Sequence, residues 1–240
     1  MASIQSQASR AQSTERRLSR WLHNQHIIAQ EVYTPLITQA LQNWGEQQIK
    51  LALDTSLIFE RYCIIRIVVL YRGRAVPLVQ QVIAHSSATV SFEQLEDVLN
   101  KAAAIVRQLK DCKVIFLADR GFADTDLMQR LSELAWSYRI RIKASFGVYS
   151  PAAQLLCKVG QIALGCGQAK YYHNVRLTKQ HFGVVHVAVA RPTGLNELWA
   201  LVSDQPTSQQ TFVEYGWRFQ IVGAFRLKKA SLMIRVEPST

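Results

Sequence analysis

"KVIFLADRG", residues 113–121, is the stretch on which the fold turns. Val114 to Ala118 are apolar without interruption, and Asp119 ends the run. A segment so short is too brief for a helix, and its lack of alternation suits a strand covered on both faces inside a sheet. The flanks complete the pattern. Upstream, Ser91 with Gln94 three residues later opens a helix in capping-box fashion, with Phe92, Leu95, Leu99, Ala102, Val106 and Leu109 on one face. Downstream, residues 125–138 read as a helix carrying Leu127, Leu131 and Leu134, and "RIRIKA" at 139–144 reads as a strand.

Nearer the N-terminus the period is that of strands. "IKLALD" alternates Ile49, Leu51 and Leu53 and ends on Asp54. "YCIIRIVVLYRG" is β-branched, and "AVPLVQQVIA" follows a turn at Gly73, with Pro77 predicting a strand near a sheet edge. Three strands, a helix, a strand, a helix and a strand give an α/β fold, a mixed sheet flanked by helices. Residues 145–206 break that rhythm. Gly160, Gly165, Gly167, Gly183 and Gly194 punctuate short β runs such as "GVVHVAVA", predicting a β-rich insertion before a final helix opened near Thr207. Residues 1–46 read as a helical arm, a connector or DNA-contacting segment or a plain packing helix, with Leu18, Trp21 and Leu22 at helical spacing beside Arg16, Arg17 and Arg20. The expected division is therefore a 1–46 arm, a 47–144 core, a 145–206 insertion and a 207–240 final helix with its tail.

Nearly half of the residues are apolar and 19% are charged, which suits a packed core and excludes a disordered chain. No apolar run approaches the roughly 18 residues of a membrane span, and the polar start lacks a secretory leader. A cytoplasmic protein with no membrane partner is the expectation. Cys63, Cys112, Cys157 and Cys166 show no C-x-x-C spacing and read as reduced, mostly buried thiols; the six histidines form no zinc motif.

The net charge of +11 is unevenly spread. Between Leu134 and Asn196 there is no Asp or Glu, whereas Arg139, Arg141, Lys143, Lys158, Lys170, Arg176, Lys179 and Arg191 are all basic. Such a segment suits a polyanion, whose counterions are released on binding; a solvated basic face with no partner is the plainer reading.

Two strands end on an aspartate, Asp54 and Asp119. Alone, each is most simply a strand-end cap. On neighbouring strands they would converge at the mouth of the sheet, where paired carboxylates suit Mg²⁺ or Mn²⁺. Two such ions about 4 Å apart can serve the attacking and leaving oxygens of a phosphodiester displacement. A third carboxylate is usual in such a site.

"LALDTS", "VIFLADRGFADTDLM" and "YGWRF", in that order, resemble the DDE transposases of insertion sequences. The likeness is to the subgroup whose last helix carries a Tyr-x2-Arg-x3-Glu-x6-Lys signature, and it spans about residues 8–221. It implies an RNase H-like core and Mg²⁺- or Mn²⁺-dependent cleavage and strand transfer in DNA. Asp54 and Asp119 match the catalytic, metal-binding aspartates, and Arg120 and Gly121 continue the "DRG" run. Tyr215 and Arg218 match the DNA-contacting Tyr and Arg, and Lys229 falls on the signature Lys by count. The Glu belongs at position 222, where this chain has Val222. Without it, the resemblance implies impaired catalysis. The alternative is a non-catalytic DNA-binding or dimerisation remnant. A further RNase H-like nuclease or resolvase fits the Tyr-x2-Arg pair less well.

Where the family shows "I-E-E-x-F-L-D-D-K", this chain reads "IVGAFRLKKASLMIRVEPST". One consistent choice of codons for the last sixteen residues, read from each codon's third base, spells that run. A frameshifted tail is the expectation. Intact relatives carry a DNA-recognition module ahead of the core, so this chain is expected to be N-terminally truncated, and they act on transposon ends and target DNA, commonly as homodimers. Related insertions hold a flipped base against an aromatic. Trp199 is the candidate, followed by Tyr171, Tyr172 and Phe182, against the plainer reading of Trp199 as core.

Overall fold

The computed structural model describes residues 13–20, 24, 26, 28–42, 47–194 and 197–223. The chain divides into two compact units, Met1–Trp44 and Gly45–Thr240. In the first, residues 13–20 are helical and a longer helix runs Ala29–Gln42. Between them the amide of His26 donates to Asn24 Oδ1, a local turn that competes with helix and so separates the two stretches.

The second unit is built on one ten-stranded sheet. Its strands are β1 (Gln48–Ile58), β2 (Tyr62–Tyr71), β3 (Arg74–Ala84), β4 (Lys113–Ala118), β5 (Ser137–Arg141), β6 (Gly147–Tyr149), β7 (Leu155–Lys158), β8 (Ala169–Leu177), β9 (Phe182–Ala190) and β10 (Trp199–Ser203). The order across the sheet is β3-β2-β1-β4-β5-β10-β9-β8-β6-β7. β1, β4 and β5 run parallel to their neighbours in that set, while β2 is antiparallel to both β1 and β3. β10 pairs antiparallel with β5, and every strand beyond it is antiparallel to the next. The glycine-punctuated segment thus extends the central sheet from its β5 side.

The sheet is mixed and flanked by helices. Leu51 and Leu53 on one face of β1 and Ala52 on the other are all fully buried, so β1 is covered on both sides. The Phe92–Val106 helix lies against β2 and β3. The amide of Ser91 donates to Gln94 Oε1 at 2.9 Å, one arm of the expected capping box. That helix closes at Val106, so Leu109 falls in the turn beyond it. β3 is an edge strand, and Pro77 sits opposite Val68 where the ladder shifts register, a place where a missing N–H costs nothing.

Three local expectations need correction. The second helix is shorter than its leucine spacing suggests: it spans Thr125–Glu133, and Ala135 at φ +55° turns the chain so that β5 starts already at Ser137. Of the four thiols only Cys63 is buried; Cys166 is exposed. β1 does not stop at Asp54 but runs on to Ile58, because the hairpin with β2 continues to the Ile58–Tyr62 pair.

The last helical stretch crosses the sheet in three pieces: Gln209–Gly216, a 3-10 turn Trp217–Phe219, and Gln220–Gly223. Ser208 caps it, its hydroxyl accepting from the amide of Gln210. Phe212 and Tyr215 pack with Ala188, Trp199 and Leu201, whereas Trp217 and Ile221 pack on Ala52, Val68, Leu70 and Leu117. Lys50 Nζ lies 4.1 Å from the Trp217 ring centroid and seats that ring over β1.

Candidate functional site

β1 and β4 are in parallel register, with Leu51 opposite Phe116 and Ala52 opposite Leu117, and their pairing ends there. Asp54 and Asp119 each lie two residues further along, at the same level beyond the parallel edge. Alternation places Asp54 on the face of Ala52 and Asp119 on the face of Leu117, the face covered by Trp217 and Ile221. The neighbour of Trp217 in the 3-10 turn is Arg218. Its Nη2 lies 3.4 Å from Asp54 Oδ1 and 3.1 Å from Asp119 Oδ2, so a single guanidinium nitrogen bridges both carboxylates.

Each aspartate is also held from its own strand. Asp119 caps a 3-10 turn, and its Oδ1 accepts the amide of Gly121 at 2.8 Å. A Cβ at position 121 would stand 3.0 Å from that oxygen, which explains glycine there. Asp54 pairs across the hairpin with Arg66, whose Nη2 is 3.8 Å from Asp54 Oδ2 and also donates to Ser56 Oγ. Burial pushes the Asp54 carboxyl above its ordinary range, and Asp119 adds to that; Arg218 and Arg66 pull it back, as does the Thr55 amide. Arg218 is itself buried, with a side chain 9% exposed, and its Nε has no hydrogen-bond partner.

Of the other candidates, Arg120 follows Asp119 directly, while Trp199 and Tyr215 pack in a separate cluster. Arg120 reaches Glu197 Oε1 at 2.6 Å, and Arg141 reaches the same oxygen at 2.8 Å. The hydrogen bond from Arg141 is the main reason that the Glu197 carboxyl is held below its ordinary range, with burial opposing. Arg141 then stacks over Trp199 at 5.1 Å. The Trp199 ring is 8% exposed and is flanked by Tyr215 edge-on at 5.8 Å and by Phe219 at 5.5 Å. In this conformation Trp199 is a core residue, not an open platform for a base. Tyr215 is also buried, and burial pushes its phenol up. Tyr171 is half-buried against the same cluster, Tyr172 lies under Lys170, and Phe182 is half-buried at the start of β9. Lys229 lies outside the described residues. Position 222 follows Arg218 by one helical turn, within Gln220–Gly223.

Three residues of this neighbourhood went unmarked in the sequence: Arg66, Arg141 in its pairing, and Glu197. Arg66 was legible in principle, by counting back from the hairpin turn. That turn is Phe59-Glu60, both at positive φ (52° and 51°), and the pair carries no turn signature. The basic segment also needs qualification. Arg139 is buried and bound to Glu214 and Asp204, and Arg141 is bound to Glu197, so acids that follow the segment neutralise part of it. Lys143, Lys158, Lys170 and Lys179 remain exposed.

No family model and no curated protein matches the chain. Among solved structures it is similar to the piggyBac transposase in its synaptic complex with hairpin DNA, with a TM-score of 0.50 at 10% identity. That similarity covers 88% of this chain and 46% of the transposase, so the chain spans about half the length of the protein it matches. The Argonaute of Marinitoga piezophila, bound to guide RNA, also matches, with a TM-score of 0.33 at 12% identity over 74% of this chain and 27% of that one. The Argonaute likeness is too slight to argue from. At such low identity the first match speaks for architecture, and the chain has a transposase-like fold.

Proposed function

We propose that this chain is a DNA-transposition protein of the DDE type whose acidic pair is retained and whose third carboxylate is replaced by Val222. The observation that carries this reading is the pair Asp54 and Asp119, level at the edge of adjacent parallel strands and bridged by Arg218. The strand order β3-β2-β1-β4-β5, with β2 alone reversed against β1, supports an RNase H-like core, and the transposase-like architecture supports the same ancestry. DNA is the partner this reading implies.

The two carboxylates are hard oxygen donors of the kind that Mg²⁺ or Mn²⁺ takes. No group of three or more His, Cys, Asp or Glu residues able to hold a metal ion occurs among the described residues. Asp54 and Asp119 would therefore hold one ion, while a two-ion clamp lacks donors. When bound, the ion would polarise the scissile phosphodiester. Arg66 would orient Asp54, and the Gly121 amide would orient Asp119. Glu214 offers no substitute for the missing acid, because its Oε2 is engaged by Arg139 at 2.7 Å.

Nicking of supercoiled plasmid tests this reading. With Mg²⁺ or Mn²⁺ the chain should nick no faster than its Asp54→Ala variant, and Val222→Glu should raise nicking above that background. A gel shift on duplex DNA should appear at low salt and fade by about 200 mM. Metal-dependent cleavage by the unaltered chain, abolished by Asp54→Ala, would overturn the proposed defect. Absence of DNA binding at low salt would overturn the DNA reading itself. A non-catalytic DNA-binding remnant is the second reading, favoured by Val222; failure of Val222→Glu to restore nicking would select it.

A further inference from the structure

We infer that Arg218 is the resident cation of the Asp54–Asp119 site, and that a divalent ion enters only when Arg218 leaves for another anion. The inference rests on the proposed function in one respect: the anion that takes Arg218 is a phosphodiester oxygen of DNA. Four observations support it. One guanidinium nitrogen lies within 3.4 Å of an oxygen on each of the two carboxylates that would hold a metal ion. The two aspartates meet two arginines, Arg218 and Arg66, so the cluster is balanced in charge without any added ion. The Arg218 side chain is nine-tenths buried, yet its Nε donor is unused, so the guanidinium does not satisfy its full hydrogen-bonding capacity where it lies. Arg218 also sits in the 3-10 turn Trp217–Phe219 between two α-helical pieces, the kind of interruption at which a helix changes course.

Two consequences follow from elementary electrostatics. A guanidinium and a doubly charged ion repel each other and compete for the same oxygens, so Arg218 lowers the affinity for the ion. An anion that draws Arg218 away removes that competition, so DNA and the ion bind with positive coupling, each raising the affinity for the other by the same factor. In an intact acidic triad a third carboxylate would offset Arg218. With Val222 nothing does, and the competition is felt in full.

The experiment measures Mn²⁺ binding to the full chain by electron paramagnetic resonance of the free ion, with and without a duplex oligonucleotide. Arg218→Gln should bind Mn²⁺ about tenfold more tightly than the unaltered chain, and Arg218→Lys, which keeps the charge, should stay within about threefold of it. The duplex should tighten Mn²⁺ binding to the unaltered chain about fivefold or more and leave Arg218→Gln unchanged. Asp54→Asn with Asp119→Asn should remove the binding altogether. Mn²⁺ affinity that is equal or weaker in Arg218→Gln overturns the inference. Should that variant not fold, the duplex arm on the unaltered chain decides: no tightening by DNA that demonstrably binds overturns it. If DNA does not bind at all, the proposed function fails, while the comparison of Arg218→Gln with the unaltered chain still stands or falls without DNA.

Discussion

Two buried arginines, Arg139 in β5 and Arg218 in the helical stretch that crosses the sheet, are treated in opposite ways. Arg139 has a side chain 5% exposed and engages all three of its nitrogens: Glu214 at 2.7 Å, the Tyr138 carbonyl at 2.9 Å, Ser203 and Gln205 each at 3.0 Å, and Asp204 at 3.4 Å. Arg218 is nearly as buried, yet one nitrogen makes both of its charged contacts and Nε makes none. A buried cation engaged at every nitrogen ties secondary structure together: Arg139 joins β5 to the end of β10 and to the last helix. A buried cation that is under-matched is costly, and Arg218 carries that cost beside the two carboxylates. The first arrangement belongs to the fold and the second to the site.

The sharpest way to break this contrast is to remove the arginines in turn. Arg139→Met leaves Glu214 and Asp204 without their cation in a covered place, and should cost about 3–5 kcal/mol of stability in urea unfolding. Arg218→Met should cost well under half of that, since Asp54 retains Arg66 and Asp119 retains the Gly121 amide. Equal losses would erase the distinction.

A second prediction concerns the carboxylate that Arg218 faces. Burial, with Asp119 adding to it, raises the Asp54 carboxyl above its ordinary 3.8, and the two arginines offset this only in part. A carboxyl raised in the folded state takes up its proton there before it does in the unfolded chain. Its contribution is therefore most favourable below the ordinary value and is lost as pH rises through the raised one. At neutral pH the ionised Asp54 weighs against the fold. Asp54→Asn should thus raise Tm at pH 7 and bring no gain at pH 3, a stability that the acidic site forgoes.

The smallest effect sits beside the Arg139 cluster. Burial first, then the neighbouring His173, lower the His186 imidazole below its ordinary 6.5, with Asp204 opposing; the two Nδ1 atoms are 3.2 Å apart. A base depressed in the folded state contributes stability above its ordinary value and loses it as pH falls through the depressed one. Stability should fall as pH drops below 6.5, and His186→Gln should flatten that slope. An unchanged slope would place the titration elsewhere.

Much of this was legible in the sequence, for reasons that differ between elements. The uniform apolar run before Asp119 marks a two-sided burial that only a central strand offers, and Pro77 marks the edge. Both signals are local. Asp54 is not a strand terminus because strand length depends on the partner: β2 carries β1 six residues past the point where β4 leaves it. Arg139 resembled any surface cation, since nothing near it in the chain is acidic; its acids come from Asp204 and Glu214, over sixty residues on. In the sequence Trp199 suits core and platform alike, and its ring neighbours Tyr215 and Phe219 distinguish the two. The bridging place of Arg218 is not legible in the sequence, because its spacing within the last helix says nothing of how that helix crosses β1 and β4.

The pairing of β10 with β5 carries a cost during synthesis. β5 ends at Arg141 and its partner begins only at Trp199, so roughly 60 residues must be added before that flank of the sheet can close, about 3–12 seconds at ordinary rates of translation. Through that interval a nascent chain presents an apolar ribbon with unmatched backbone groups to whatever lies nearby. A ribosome-bound holdase, or the pace of codons between the two strands, would therefore govern how much of this protein escapes aggregation.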